Sequence, residues 1–293
     1  MDDINKLIDN KFEIIGLEKF AVIIGLNPSK TARSPILWNA AFKANNLNFS
    51  MIPIDVKKKN LDMVLEILNK SNKFIGGSVT IPYKSDVANI LGENLTEEAK
   101  NIGAINCIFK NEKNVIMGTN TDGEASLISY KKNFGDINNK SILLLGLGGA
   151  GKAVLNYFLK EITQGKMYVS TVNESKYKFY ENFKNINFIK WNEKSEILDK
   201  IDILINCTSL GFDNNIEKSP LKIEELSKLK KTTIVYDIIY NPKKTKLLKL
   251  SEELGLKTLN GLQMNFLQAV IAFNYAVKLN NNDVTEQAMK GIK

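Results

Sequence analysis

Three glycines, Gly146, Gly148 and Gly151, stand at GxGxxG spacing immediately after the apolar run 142–145. An apolar run of that length reads as a buried parallel strand, and a helix must follow, because Ala153, Val154, Tyr157, Phe158 and Ile162 recur at helical spacing. A helix that begins at a glycine turn aims its free N–H groups and positive dipole end at whatever occupies the turn, which suits a pyrophosphate. Gly146 allows the tight turn, Gly148 lets a phosphate approach the backbone, and Gly151 lets helix and strand pack closely. A second residue with chemical potential is Lys84. Pro82 ends the strand pattern of 74–80 and leaves Lys84 just past a strand's C-terminal end, where open α/β sheets bind their ligands. Asp122 closes the polar cluster Thr119, Asn120, Thr121, Asp122, Gly123, a pattern that by itself predicts a turn.

The absence of histidine narrows the chemistry further. It excludes Ser-His-Asp triads, histidine metal sites and histidine acid–base dehydrogenation, so any proton must move through Lys, Asp, Glu, Tyr, Cys or water. Cys107 and Cys207 form no CxxC pair, so neither a zinc knot nor a disulfide framework is expected, and no metal site is read. The net charge of +8 comes almost entirely from dispersed lysines, with Arg33 the sole arginine. Dispersed lysine reads as solvated surface, and without arginine forks or a recognisable motif it argues against a nucleic-acid partner. No apolar run approaches membrane-spanning length and the first ten residues are acidic and polar, so a cytoplasmic chain with no membrane partner is expected.

The elements that must position these residues alternate. At 293 residues the chain has room for two domains. The pattern predicts a short helix and connector within 1–17, strand 19–25, a loop over 26–35, helix 36–45, strand 48–56, helix 61–69 and strand 74–80. Helices over 85–91 and 96–101 and short strands over 103–109 and 115–120 follow. After a helix from Glu124 and the glycine-turn strand and helix come strand 166–170, a helical stretch to 185 and strands 187–191, 201–206 and 232–239. Pro242 opens a predicted helix through Leu254 that Gly255 ends, and 262–279 forms a long final helix. The predicted class is α/β, divided as an N-terminal extension (1–17), a substrate domain (18–123 plus 260–293) and a dinucleotide domain (124–259).

Read in order, SVTIPYK (78–84), GAINC (103–107), GTNTDG (118–123), GLGGAGKA (146–153), NCTSLGF (206–212), YDIIYNP (236–242) and GLQMNFLQA (261–269) together resemble the shikimate dehydrogenase family. The resemblance implies two α/β domains around a cleft, the second a Rossmann-type doubly wound parallel sheet. It also implies reversible NAD(P)-dependent reduction of 3-dehydroshikimate to shikimate, with NADP as the cofactor preferred and NAD open. By the same resemblance Lys84 and Asp122 are the catalytic dyad, and Ser34, Thr80, Asn106, Tyr240 and Gln268 line the substrate site. Gly146, Gly148, Gly149, Ala150, Gly151, Thr171, Asn173, Thr208, Ser209 and Gly261 hold the nucleotide. The partner is then a carboxylated cyclic small molecule, and the chain a monomer or homodimer. Chemistry supports Lys84 independently, since a ketone being reduced gathers negative charge on oxygen that an ammonium can stabilise and protonate.

Four positions depart from the family pattern. Ala32 stands where a first serine of an SxS pair grips the substrate carboxylate, leaving Ser34 as the second, with Ser29, Thr31 and Arg33 as possible substitutes. Ser78 replaces an asparagine and Cys107 a threonine. Val172 stands where NADP-using members carry an arginine, with Glu174, Lys176 and Lys178 nearby. These departures keep two alternatives in view: a paralogue acting on another cyclic hydroxy acid such as quinate, and a catalytically silent nucleotide-binding sensor.

Overall fold

A computed structural model describes residues 3–180, 185–279 and 282–292, and everything below concerns those residues. The chain divides into two compact units, residues 1–121 with 266–293, and residues 122–265.

The first unit is built on β1 (Lys19–Gly25), β2 (Phe49–Asp55), β3 (Phe74–Val79), β4 (Cys107–Lys110) and β5 (Ile116–Thr119), in the sheet order β2-β1-β3-β4-β5. β1 runs parallel to β2 and β3, whereas β4 is antiparallel to both β3 and β5. β1 occupies the predicted bounds because every residue after Lys19 is buried, as a central strand covered on both faces requires. Its side chains alternate between two cores. Phe20, Val22 and Ile24 join one with Ile4, Ile8 and Phe12, while Ala21 and Ile23 join another with Trp38, Phe42 and Phe273.

Helices α1 (Pro28–Thr31), α2 (Ser34–Ala44), α3 (Leu61–Lys70), α4 (Lys84–Leu91) and α5 (Glu97–Ile102) complete the N-terminal part of this unit. α3 buries Leu61, Val64, Leu65 and Leu68, the i, i+3, i+4, i+7 stripe that pins a helix to a sheet. Thr96 caps α5 by accepting the Ala99 N–H at 3.3 Å. The expected helix near the N-terminus is a single 3-10 turn, Ile4–Lys6, followed by a one-residue bridge from Ile8 to Val56.

The second unit opens with α6 (Asp122–Phe134), followed by β6 (Ser141–Leu145), α7 (Gly149–Glu161), β7 (Lys166–Ser170), β8 (Ile186–Ile189), β9 (Ile203–Asn206), α8 (Ile223–Leu226), β10 (Ile234–Asp237), α9 (Lys246–Glu253) and β11 (Lys257–Leu259). Its sheet is parallel throughout, in the order β11-β10-β9-β6-β7-β8. The order reverses between β6 and β9, which creates the crevice where doubly wound sheets receive ligands.

Two expected helices differ here. The stretch after β7 is a 3-10 segment, Glu174–Tyr180, and its remainder at 181–184 lies outside the described residues. The helix expected from Pro242 starts at Lys246, because Thr245 is extended and its hydroxyl accepts the Leu248 N–H at 3.4 Å.

The long helix α10 (Leu262–Val277) contributes its first turn to the second unit and the rest to the first. α11 (Asn282–Lys290), absent from the sequence expectation, adds buried Met289 to the Trp38 core.

Candidate active site

The first unit holds Ser34, Thr80, Lys84, Asn106 and Gln268 of the expected substrate-side residues, whereas Asp122 and Tyr240 fall in the second. Lys84 is the first residue of α4, reached from β3 through the turn Thr80–Tyr83, in which the Tyr83 N–H donates to the Thr80 carbonyl at 3.0 Å. The lysine's backbone is fixed twice. The buried Tyr83 hydroxyl donates to the Val56 carbonyl at 2.8 Å, and the Ile105 N–H donates to the Lys84 carbonyl at 2.9 Å. Asn106 lies one residue along from Ile105 and is buried. Its amide donates to the Thr121 hydroxyl at 3.0 Å and to Gln268 Oε1 at 3.3 Å, and its carbonyl oxygen accepts the Thr121 N–H at 2.8 Å. The Thr121 hydroxyl also lies 3.1 Å from the Gln268 carbonyl, which it can donate to.

Asn106 and Gln268, 162 residues apart, are therefore joined through Thr121. Thr121 was not among the expected site residues. The signal for it was present, since it precedes Asp122 in the GTNTDG motif, but a hydroxyl in a turn-like cluster reads first as a turn former.

The loop over 26–35 is also set by its bonds. Ser34 opens α2 and Ala32 ends α1, partly buried against the Trp38 core. The three residues that could replace the missing serine hydroxyl are engaged elsewhere. Ser29 bonds the buried Asp55 carboxylate through both its N–H and its hydroxyl. The Thr31 hydroxyl donates to the Asn27 carbonyl at 3.3 Å, and Arg33 donates to the Ile292 carbonyl at 3.0 Å. The other two altered motif positions, Ser78 and Cys107, turn out to be register partners on β3 and β4. Cys107 is buried, which pushes its thiol well above the usual range and makes it a packing residue.

In the second unit, the glycine-turn residues with Thr208 and Ser209 lie at the reversal of strand order, while Thr171 and Asn173 follow β7 and Gly261 follows β11. Gly146 follows β6 with φ +95°, and a Cβ there would meet Thr208 Cγ2 at 2.9 Å, so the glycine turn lies against the loop after β9. Gly148 is the N-cap of α7, and a Cβ there would meet nothing within 4 Å, leaving open space above the turn. Gly149 and Ala150 are the first two residues of α7, whose N–H groups lack helical acceptors. A Cβ at Gly151 would lie 2.1 Å from the Gly146 carbonyl, so helix and turn are in contact.

Asp122, buried, begins α6, and Gly123 beside it lets α6 press on α7, where a Cβ would meet the Ala153 carbonyl at 2.4 Å. Burial and then the charges of Asp237 and Asp122 raise the Cys207 thiol well above its ordinary range.

At the end of β7, the Thr171 N–H donates to the Tyr177 hydroxyl at 3.1 Å, while Asn173 accepts from the Ser175 N–H at 3.1 Å and starts the 3-10 segment. Val172 is 75% exposed. Lys152 on α7 is pushed below the usual lysine range, first by burial and then by the like charge of Lys176. Lys152 directly follows Gly151, and a positive charge at that position suits a phosphate. Thr208 and exposed Ser209 follow β9, and half-buried Tyr240 follows β10. Buried Gly261 donates its N–H to the Ile239 carbonyl at 2.9 Å and leaves no room for a Cβ, which would meet the Ile238 carbonyl at 1.9 Å. Among the described residues, no cluster of His, Cys, Asp or Glu could hold a metal, and no helix is long and apolar enough to cross a membrane.

Comparison with known proteins joins these two sets of observations. Residues 23–108 match the shikimate dehydrogenase substrate binding domain. The chain is 36% identical over 264 residues to the shikimate dehydrogenase (NADP(+)) of Carboxydothermus hydrogenoformans, covering 89% of this chain and 92% of that one. It is 34% identical over 274 residues to the corresponding protein of Methanocaldococcus jannaschii, covering 91% and 92%. Its structure superposes on a shikimate dehydrogenase solved in complex with NADP+ with a TM-score of 0.81 at 29% identity, over 95% of this chain and 98% of that one. A glycine turn at the sheet's reversal, a lysine opening a helix beyond a parallel strand, and likeness over nine-tenths of the length converge: the chain belongs to the shikimate dehydrogenase family.

Proposed function

We propose that this chain is a shikimate dehydrogenase, catalysing the reversible NADP-dependent reduction of 3-dehydroshikimate to shikimate. The observation that carries the reading is the 36% identity to a shikimate dehydrogenase (NADP(+)) across 89% of the chain. The motif residues Lys84 and Asp122 are both present.

The nicotinamide, when bound, supplies the hydride for reduction and takes it up in the reverse direction. Lys84 stabilises the negative charge gathering on the ketone oxygen and donates the proton that makes it a hydroxyl; in reverse it takes that proton back. Asp122 accepts a hydrogen bond from a ring hydroxyl and so orients the ring. Asn106, Thr80 and Gln268 contact ring hydroxyls, with Thr121 added as the residue that joins Asn106 to Gln268. Ser34 grips the substrate carboxylate, and Tyr240 completes the substrate side.

The glycine turn fits the nucleotide's pyrophosphate, because the space a Cβ at Gly148 would take is open and the free N–H groups of Gly149 and Ala150 begin α7. Thr171 and Asn173 border the adenosine ribose, and Thr208, Ser209 and Gly261 the nicotinamide side. Lys152 and Lys176 receive the 2′-phosphate that Val172 cannot. The first unit is on this reading the substrate domain and the second the nucleotide domain.

The test is nicotinamide absorbance with purified protein, presenting shikimate and quinate separately with NADP+ and with NAD+. The expected result is efficient turnover of shikimate with NADP+. Turnover of quinate alone, or of neither acid while nucleotide still binds, would replace this reading.

A further inference from the structure

The second unit contains a buried charged group that the reaction does not use. Asp237, the last residue of β10, is 0% exposed, as is Asn206, the last residue of β9, and the two are register partners. A carboxylate without solvent is costly to keep, and burial pushes the Asp237 carboxyl up to about 6 despite three hydrogen bonds that favour its ionised form. A residue maintained at that cost invites the question of what its bonds hold.

We propose that Asp237 is a positioning residue: together with Asn206 it ties the loop bearing Thr208 and Ser209 to the strand end bearing Tyr240, and so sets the geometry of the nucleotide side.

Each bond leads to a different segment. Asp237 Oδ1 accepts from Asn206 Nδ2 at 3.1 Å and from the Ile239 N–H at 3.1 Å, one residue before Tyr240. Its Oδ2 accepts from the Thr245 hydroxyl at 2.7 Å, and Thr245 in turn caps α9. Asn206 passes the constraint onward. Its amide also donates to the Leu210 carbonyl at 3.2 Å, and its Oδ1 accepts the Thr208 N–H at 3.0 Å and the Thr208 hydroxyl at 2.7 Å. Thr208 then accepts the Leu210 N–H at 3.1 Å, closing the loop on itself. That loop touches the glycine turn, because a Cβ at Gly146 would strike Thr208. The Ile239 carbonyl is likewise the acceptor for Gly261.

One carboxylate and one amide thus fix the backbone after β9, the backbone after β10 and the start of α9. Apolar side chains could fill the same volume, but they would not specify the direction of a loop N–H.

The inference rests on the function proposed above, and its test separates the two. NADP+ binding is measured by titration calorimetry on the full chain, and shikimate turnover in parallel, for the wild type and for Asp237→Ala, Asp237→Asn and Thr245→Val. Asp237→Ala is expected to weaken NADP+ binding at least tenfold and to lower kcat by a similar factor. Asp237→Asn retains an oxygen for Asn206 and Ile239 and an amide for the Thr245 oxygen, and is expected to restore both quantities to within threefold. Thr245→Val keeps the side-chain volume that packs beside Gly211 and removes only the hydroxyl bonded to Asp237, so a three- to fivefold loss of NADP+ affinity is expected if Asp237 acts through its orientation.

A folded Asp237→Ala with affinity and kcat within twofold of wild type overturns the proposal, as does an Asn variant no better than Ala. If Asp237→Ala does not fold, unchanged affinity in Thr245→Val overturns it. Wild-type protein that binds NADP+ without turning over shikimate sinks the functional reading alone, and the affinity series still decides the positioning role. Absence of NADP+ binding overturns both.

Discussion

The two units hold their candidate site residues by different means. In the first, Asn106, Thr121 and Gln268 bind one another through amides and a hydroxyl, groups that carry no charge at any ordinary pH. In the second, a buried carboxyl, Asp237, does the equivalent work. The units also differ in how their cores are assembled. The second is one stretch of chain, whereas the first needs Ala269, Val270, Phe273 and Met289 from the far end to cover Trp38 and Phe42. At Asn106, Thr121 and Gln268 the first unit is therefore sensitive to the integrity of distant packing, and at Asp237 the second is sensitive to protonation.

Four experiments act on that contrast, in descending size of effect. The largest is Phe273→Ala. Phe273 meets Trp38 edge-on at 5.2 Å and lies 5.1 Å from the Phe42 ring, so its removal should cost about 3–5 kcal/mol. Hydrogen exchange should accelerate in β1 and β3 while β6 and β9 keep their protection; equal acceleration in both would show that the units do not respond separately.

The second concerns pH. The Asp237 carboxyl is raised from 3.8 to about 6 in the fold, so its stabilising contribution is complete below about pH 3.8 and is lost as pH rises through about 6. Its neighbours Cys207 and Tyr236 are both raised by burial and stay neutral throughout that window. The loss is on the order of 3 kcal/mol. Urea unfolding at pH 4, 6 and 7.5 should show Asp237→Asn gaining on wild type as pH rises; a difference independent of pH would mean the carboxyl is not shifted.

Third, Lys84→Ala should lower turnover about a hundredfold or more and leave NADP+ affinity unchanged, because the lysine belongs to the first unit and the glycine turn to the second. Near-normal turnover would remove Lys84 from the mechanism.

The smallest change tests the carboxylate loop. Ser29 and Thr31 bond elsewhere and Arg33 spends one N–H on Ile292, and Ala32→Ser should lower the KM for shikimate about tenfold. An unchanged KM would mean that the loop meets the carboxylate differently.

Much of this arrangement was legible in the sequence, for physical reasons that also explain what was not. β1 and β7 lie at their expected bounds because apolar runs flanked by polar residues have one solution in a parallel sheet. The family was legible because seven motifs kept their order. β11 has three residues and none is buried, so it left no periodic trace. α11 follows an asparagine tract and sinks its face through Thr285 and Met289, too few apolar positions to announce a helix. The bonds of Asp237 and Asn206 were invisible for a different reason. A buried carboxylate and an exposed one are the same letter, and only partners brought from several strand ends tell them apart.

The final helix carries one more implication, for synthesis. A chain leaving the ribosome has the whole second unit in hand by residue 265, while the first is still missing residues 266–292. Until those arrive, Trp38 and Phe42 have no Phe273 or Met289 over them, and this apolar surface stays open to chaperones and to other nascent chains. The unit translated first is thereby the one finished last, so premature termination near residue 265 would spare the fold of the second unit and leave Lys84 on an unfinished core.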